Sequence, residues 1–220
     1  MKVIIFGATG MVGQGVLREC LIDPGVTGVL AVGRAATGRH DPKLREIVRS
    51  DLRDLSAVAD QLAGYDACFF CLGVSSIGMS EPEYTAITYD LTLSVARTLL
   101  ATNPELTFIY VSGQGTNATG RMMWARVKGA TEQALLDLPF RAYMFRPAFI
   151  QPQHGVRSRT RGYAILYAVT APLLPLLRRL APSTVTTTER IGRAMLAVAR
   201  TGAPRQVLET RDINALADRG

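Results

Sequence analysis

Short apolar runs alternate with amphipathic stretches along most of the chain. The runs that we predict as strands cover residues 2–6, 29–33, 46–52, 67–72, 106–111, 141–145 and 206–209. The helical stretches between them cover about 13–22, 56–63, 81–102, 123–138 and 186–200, and a polar tail follows. Strands that are apolar along nearly their whole length are typical of a parallel sheet buried on both faces. The pattern therefore predicts an α/β protein with a doubly wound parallel sheet.

Composition and charge narrow the class of protein. The 220 residues, of which 48% are apolar and 20% charged, predict one domain over 1–220 with a small C-terminal, substrate-side lobe at about 151–186. The formal net charge of +7 comes from arginines scattered along the chain, so we expect no nucleic-acid partner. A phosphorylated cofactor or an anionic small molecule fits this charge at least as well.

Three cysteines are too few for a disulfide framework and indicate a reducing compartment, so we expect a cytoplasmic protein. The chain opens with a predicted strand, and we therefore expect no signal peptide. Cys68 and Cys71 have the spacing of a redox pair, but they lie in an apolar strand, where buried packing is the favoured role.

The first strand leads into a turn that carries glycines at intervals of three residues. Strand, turn and helix follow one another in the order that a dinucleotide cradle requires, although an ordinary strand-to-helix turn is the alternative. Such glycines let the backbone turn tightly and approach a pyrophosphate, whose charge is attracted by the N–H groups of the helix start. The candidate cofactor-binding residues here are Gly7, Thr9, Gly10, Met11, Val12 and Gly13.

An arginine follows the second strand, at the place where such folds choose between dinucleotides. An acidic residue there binds the ribose hydroxyl of NAD, whereas an arginine accommodates the 2′-phosphate of NADP. No Asp or Glu lies between Asp23 and Asp41, and Arg34 and Arg39 are both available. We therefore predict NADP(H) as the cofactor with Arg34 at its phosphate, and a solvated surface arginine is the alternative.

Residues that follow the other strands should meet at one crevice, because ligands of such sheets bind beyond the carboxyl ends of the strands. A polar loop, residues 113–117, and then a helix with Trp124 and Lys128 come after the fifth strand. These two residues are four positions apart and share one helical face. The further candidates at strand ends are Asp51, Leu52, Leu72, Gly73, Ser112 and Pro147.

These motifs resemble the short-chain dehydrogenase/reductase superfamily, specifically its atypical and extended branches, which have the Rossmann fold. The resemblance covers about residues 1–150 and rests on the glycine turn, Asp51, Leu52, Ser112, Lys128 and the pair Arg146-Pro147. It implies that the glycine turn holds the pyrophosphate and that Asp51 and Leu52 bracket the adenine. It also implies that Lys128 hydrogen-bonds the nicotinamide ribose and that Ser112 polarises a substrate carbonyl.

Trp124 stands where the family carries its catalytic tyrosine. An indole N–H can donate a hydrogen bond but cannot give up or return a proton near neutral pH. Tyr84 or Tyr89 could lend a hydroxyl instead, or Ser112 or solvent could relay the proton; packing is the alternative role for the tyrosines and for Trp124. The candidate catalytic residues are therefore Ser112, Lys128 and Trp124.

These observations leave three functions open. The favoured one is an NADP(H)-dependent oxidoreductase acting on a small carbonyl or hydroxyl substrate. The second is a non-catalytic NADP(H) sensor or scaffold, since the superfamily contains members that have lost catalysis and only sense the dinucleotide. A nucleotide-sugar epimerase is less favoured, because it would also need the missing tyrosine, and Trp124 leaves open whether the protein is an enzyme.

The last third of the chain departs from the regular pattern. A polar loop there carries an arginine at every second position, Arg157, Arg159 and Arg161. These arginines could bind an anionic substrate or could form a solvated edge. His154 has no second ligand at metal spacing, so we expect no metal. Residues 162–177 carry no charge but are shorter than the roughly 20 residues that span a membrane. We predict a cover over the site or a homo-oligomer surface there, with membrane contact as the minority alternative.

Overall fold

Seven strands form one parallel sheet in the computed structural model, which describes residues 1–155 and 184–219. The strands of the described chain are β1 (Lys2–Phe6), β2 (Gly28–Gly33), β3 (Leu44–Val48), β4 (Ala67–Phe70), β5 (Thr107–Val111), β6 (Arg141–Arg146), β7 (Phe149–Gln151), β8 (Val185–Thr187) and β9 (Val207–Glu209). The large sheet has the order β3-β2-β1-β4-β5-β6-β9, and β7 pairs with β8 in a separate ribbon. The strand order reverses between β1 and β4, as in doubly wound sheets. The predicted fold class is confirmed.

Helices cover both faces of this sheet. They are α1 (Met11–Ile22), α2 (Glu81–Thr85), α3 (Leu91–Thr102), α4 (Met123–Leu136), α5 (Thr188–Thr201) and α6 (Thr210–Ala217), with a 3₁₀ segment at Ser56–Leu62. A π-helical segment, Ala86–Asp90, joins α2 to α3, so the long helix predicted over 81–102 is continuous but widened in its middle. Short π segments of this kind recur at functional sites.

Alternating side chains of β1 reach two different core layers. Val3 and Ile5 lie in the layer that α1, α5 and α6 cover, whereas Ile4 and Phe6 lie in the layer on the opposite face. All four side chains are fully buried. A strand buried on both faces must be apolar at every position, which is why the first strand is so clear in the sequence.

Several predicted boundaries are wrong. The third strand ends at Val48 and not at residue 52. The N-cap of α5 is Thr187, whose side-chain oxygen accepts the N–H of Arg190 at 3.0 Å, so the helix begins at Thr188 and not at residue 186. The polar tail is helix α6, whose start is a capping box of Glu209 and Asp212. Short elements rich in polar residues show only a weak hydrophobic periodicity in the sequence. Their boundaries therefore become clear only from their packing in the structure.

Part of the predicted substrate-side lobe lies outside the described residues. Arg157, Arg159 and Arg161 and the uncharged stretch 162–177 belong to residues 156–183. The roles suggested for them, and the single domain over 1–220, stay predictions. Within 1–155 and 184–219, no helix has both the length and the apolar character needed to cross a membrane.

Candidate functional site

A cleft of about 1330 Å³ opens beyond the carboxyl ends of the central strands. Its walls come from the segments that follow β1 to β6, so the strand ends meet at one crevice as expected. The predicted site residues that line it are Gly7, Thr9, Gly10, Met11, Val12, Arg34, Leu52, Leu72, Gly73, Ser112, Trp124, Lys128 and Pro147. Gly13 and Asp51 are not part of the lining.

Two glycines of the first turn leave no room for a side chain. Gly7 has φ +81°, and a Cβ there would lie 2.7 Å from the backbone nitrogen of Leu72. A Cβ on Gly13 would lie 2.1 Å from the carbonyl oxygen of Gly7, which shows that Gly13 packs α1 against the turn and does not face the cleft. Gly10 is the N-cap of α1. The turn therefore presents bare backbone and a helix start, which fits a pyrophosphate.

Asp51 lies outside the cleft lining, and its predicted contact with the adenine stays a prediction. Its carboxylate is exposed and accepts two hydrogen bonds from the guanidinium of Arg53, at 3.1 and 3.0 Å. These hydrogen bonds hold the pKa of Asp51 below its ordinary value. β3 ends at Val48, four residues before the predicted end; beyond it Leu52 is buried and lines the cleft, whereas Asp51 is exposed. Arg39 lies apart from the cleft, beside a separate surface depression.

Lys128 reaches the floor of the cleft from α4. Its Nζ donates a 2.6 Å hydrogen bond to the carbonyl oxygen of Ser112, at the end of β5. Burial lowers the pKa of Lys128 from 10.5 to about 8, and the nearby carboxylate of Glu132 opposes part of that shift. An amine with this pKa exchanges its proton near neutral pH.

Ser112 is held by a buried ion pair that the sequence analysis missed. Its hydroxyl donates to Glu132 at 2.5 Å, and Glu132 also accepts Nε and Nη2 of Arg146 at 3.0 and 2.5 Å. The Glu132 side chain is only 4% exposed and does not line the cleft. The Ser112 hydroxyl thus has two buried acceptors, and its contact with Glu132 is shorter than the 3.2 Å contact with the carbonyl oxygen of Phe145. The available sequence signal was the four-residue spacing between Lys128 and Glu132, which places them on one helical face.

Trp124 stands in the first turn of α4 and lines the cleft together with Lys128. It is half-buried, and its ring closes over Gly115, where a Cβ would lie 3.5 Å from Cη2. Gly115 has φ +84°, so the polar loop bends sharply beneath the indole. The indole ring thus forms one wall of the cleft.

Of the two tyrosines considered as proton donors, the structure brings only Tyr84 to the cleft. Tyr84 lines it but is 2% exposed, whereas Tyr89 packs against the core layer that contains Phe70. An ion pair of 2.6 Å between Glu81 and Arg126 joins α2 to α4. This contact fixes the helix that carries Tyr84 beside the helix that carries Lys128.

The remaining polar candidates serve the scaffold. His154 Nε2 lies 2.8 Å from Glu189 Oε2, at the start of α5. No group of three or more His, Cys, Asp or Glu side chains within 1–155 and 184–219 could hold a metal ion. Burial raises the pKa of the Cys68 and Cys71 thiols, so both favour the unreactive protonated form.

The strand order, the glycine turn and the cleft beyond the strand ends define a dinucleotide-binding protein of the Rossmann type. Residues 3–122 match the model of the NAD dependent epimerase/dehydratase family. The chain belongs to that family, within the short-chain dehydrogenase/reductase superfamily. The resemblance noted in the sequence is confirmed, and so is the coarser part of the cofactor prediction, a nicotinamide dinucleotide.

Solved structures agree on the fold. A short chain dehydrogenase family protein from Francisella tularensis has a TM-score of 0.66 and 14% identity, covering 91% of this chain and 91% of that chain. The enzyme WbmF from Bordetella bronchiseptica, solved in complex with NAD⁺, has a TM-score of 0.65 and 16% identity, covering 99% of this chain and 77% of that chain. At such identities the likeness shows the fold alone.

Curated relatives correct the expected location. The mitochondrial protein fmp52 of Emericella nidulans is 27% identical over 175 residues, which are 76% of this chain and 74% of that protein. Similar proteins from Aspergillus fumigatus and Candida albicans are also named mitochondrial. The cytoplasmic prediction is therefore wrong. It rested on the small number of cysteines, which excludes a disulfide scaffold but does not distinguish between compartments that keep thiols reduced.

Proposed function

We propose that the protein is an NADP(H)-dependent oxidoreductase that acts on a small carbonyl or hydroxyl substrate. The observation that carries this proposal is Lys128, a half-buried amine on the floor of the cleft whose pKa is lowered to about 8. Strongly shifted pKa values cluster at functional sites. A desolvated lysine in the same cleft as the glycine turn therefore indicates a chemical role.

The glycine turn and the start of α1 would hold the pyrophosphate of the dinucleotide. Leu52 and Leu72 would pack on the adenine side, with Gly73 and Pro147 closing the walls. Arg34 supports the preference for NADP, because it is exposed at the end of β2 and lines the cleft. Asp51 is left out of this assignment, since its carboxylate is bound to Arg53.

When bound, the dinucleotide supplies or accepts a hydride. Lys128 donates to the ribose and exchanges the proton of the substrate oxygen, a role that its lowered pKa suits and that the indole of Trp124 cannot perform. Trp124 provides a flat apolar wall against which a ring or an acyl chain packs. Ser112 positions Lys128 through its backbone carbonyl, while its hydroxyl is engaged with Glu132.

Titration with NADPH and NADH, followed by the fluorescence of Trp124, tests the binding part of the proposal. Trp124 is the single tryptophan of the chain, so the signal reports on the cleft. We expect a saturable change with NADPH at a lower concentration than with NADH. Absence of any change with both, confirmed by calorimetry, would refute dinucleotide binding at this cleft.

Turnover on a panel of small aldehydes and ketones tests the chemical part. We expect NADPH oxidation in the wild type, its loss in Lys128→Met, and its retention in Tyr84→Phe. Loss of turnover in Tyr84→Phe with unchanged NADPH affinity would move the proton donor from Lys128 to Tyr84. Full activity in Lys128→Met would show that the reaction takes place elsewhere.

A non-catalytic NADP(H) sensor is the second candidate, and two observations favour it. Trp124 stands where the resemblance places the family's acid, and the Ser112 hydroxyl lies within hydrogen-bond distance of the buried Glu132 carboxylate. A nucleotide-sugar epimerase stays the least favoured of the three. In each case we propose a small molecule, such as an anionic one, as the ligand beside the dinucleotide. We also propose self-association, and neither nucleic acid nor a membrane as a partner.

A further inference from the structure

A second arginine stands beside Arg34, at the end of the neighbouring strand. In the parallel ladder between β2 and β3, Gly33 is paired with Val48. The N–H of Arg49 donates a 2.9 Å hydrogen bond to the carbonyl oxygen of Gly33, which continues this contact beyond the end of β3. Extending the register by one residue therefore places Arg49 next to Arg34.

Continuing the alternation of β2 and β3 by one residue beyond each strand assigns both side chains to the same face of the sheet. Val32 and Ile47, two residues before Arg34 and Arg49, are paired across the ladder and buried in the same core layer. Leu52 belongs to that layer and also lines the cleft. Arg34 lines the end of the cleft that would take the adenine ribose, and the register places Arg49 beside it, just outside the cleft lining.

The Arg49 guanidinium contains a buried donor that remains unsatisfied. Its Nε is inaccessible to solvent, and no hydrogen-bond acceptor in the described part of the chain is within reach. A buried donor without an acceptor costs free energy, and an adjacent like charge adds repulsion. An unsatisfied buried group of this kind calls for an unseen partner, and an anion would satisfy both arginines.

The carboxylates nearby are engaged with other groups. Asp51 is bound by Arg53, and Asp54 accepts the backbone N–H of Ser56 at 2.9 Å. Hydrogen bonds from Ser56 are the main reason why the pKa of Asp54 is low, and the charge of Arg49 adds a smaller contribution. Arg49 is thus close to an acidic residue without forming a hydrogen-bonded pair through Nε.

We propose that Arg49 and Arg34 together clamp the 2′-phosphate of NADP(H), which makes Arg49 a second determinant of cofactor specificity. This inference rests on the proposed NADP(H)-dependent function. A guanidinium offers a planar fork that matches a phosphate, and two such forks from neighbouring strand ends can grip it from two sides. The 2′-hydroxyl of NAD(H) carries no charge and leaves the repulsion between the arginines uncompensated.

Calorimetric titration of the full chain with NADPH and with NADH tests the clamp without any assay of turnover. Arg49→Gln is the test variant, and Arg45→Gln, an exposed arginine on β3, is the matched control. We expect Arg49→Gln to weaken NADPH binding by about tenfold or more and to leave NADH binding unchanged. The control should bind both dinucleotides as the wild type does. Arg49→Lys keeps the charge, and its affinity for NADPH should be intermediate.

Three results would overturn the clamp. Equal weakening of both dinucleotides in Arg49→Gln would assign Arg49 to loop structure, and unchanged NADPH affinity would show that Arg34 acts alone. In both results the wild type still prefers NADPH, so only the clamp fails. A wild type that binds neither dinucleotide, or that prefers NADH, would remove the clamp together with the proposed function. If Arg49→Gln does not fold, Arg49→Lys decides on the same criteria.

Discussion

Lys128 and Ser112 are joined by a hydrogen bond of 2.6 Å, from the Nζ of the lysine to the backbone carbonyl oxygen of the serine. This bond ties α4 to the end of β5 at the floor of the cleft. It also holds the amine in a fixed place while burial favours its neutral form. Both the pKa and the position of Lys128 are therefore suited to proton exchange with a ligand in the cleft.

The protonation of Lys128 should set the pH dependence of carbonyl reduction. In the proposed reaction the protonated amine is the donor, so kcat/KM for reduction should be constant below pH 8 and fall above about pH 8, where the amine loses its proton. A pH–rate profile of the wild type checks this. A profile without a bend between pH 7 and 9 would contradict the role of Lys128, and Lys2→Met, at the exposed start of β1, serves as a control.

Lys128 should also make the free energy of unfolding depend on pH. Its pKa is about 8 in the folded protein and 10.5 in its ordinary state, so between these values the unfolded chain binds more protons. The contribution of Lys128 to the free energy of unfolding should therefore rise as the pH increases across that interval. Urea unfolding of wild type and Lys128→Met at several pH values checks this, because the difference between the two proteins should change with pH in that direction. A constant difference would mean that the amine is not desolvated.

Glu132→Ala should destabilise the fold strongly. The change leaves Arg146 without its buried carboxylate and removes the acceptor of the Ser112 hydroxyl. Removing one partner of a buried pair costs roughly 3–5 kcal/mol, and denaturant unfolding measures it. Gln133→Ala, at the exposed neighbouring position, should change the free energy of unfolding by less than about 0.5 kcal/mol. Similar effects for the two variants would argue against a structural role for the ion pair.

Gly13→Ala should damage the glycine turn, because the added methyl group would lie 2.1 Å from the carbonyl oxygen of Gly7. We expect a loss of roughly 1–3 kcal/mol in the free energy of unfolding and weaker binding of NADPH. Gly113→Ala is the matched control for stability, since a Cβ there meets nothing within 4 Å. An unaffected Gly13→Ala would show that α1 can shift away from β1 at little cost.

The variant Trp124→Tyr distinguishes between the two candidate functions, an oxidoreductase and a non-catalytic sensor. In an enzyme that uses Lys128 as its donor, the new hydroxyl adds a second acid beside the amine and should raise turnover of a carbonyl substrate. In a sensor, NADPH should bind to both proteins and turnover should be absent from the wild type. Steady-state rates and calorimetry on both proteins decide between the two. Turnover that falls in Trp124→Tyr would mean that the indole itself holds the substrate.

The strands, their order along the chain and most of the cleft could be predicted because they follow from local rules. Buried parallel strands are apolar at every position, as in β1, and ligands bind where such strands end. Glu132 could not be predicted as a site residue, because its importance depends on Arg146 arriving from a different strand. The position of Asp51 outside the cleft lining could not be predicted, because it depends on β3 ending at Val48. Arg49 was missed because only the ladder shows that it stands beside Gly33.

Arg146 contacts Glu132 on one side and Glu209, at the end of β9, on the other, where Nη1 and Oε1 are 3.5 Å apart. The charge balance beneath Ser112 and Lys128 therefore includes a residue from the last strand of the sheet. During synthesis that residue emerges when all the other walls of the described cleft have already been made. The electrostatic environment of the cleft floor is therefore complete only when β9 is docked at the edge of the sheet.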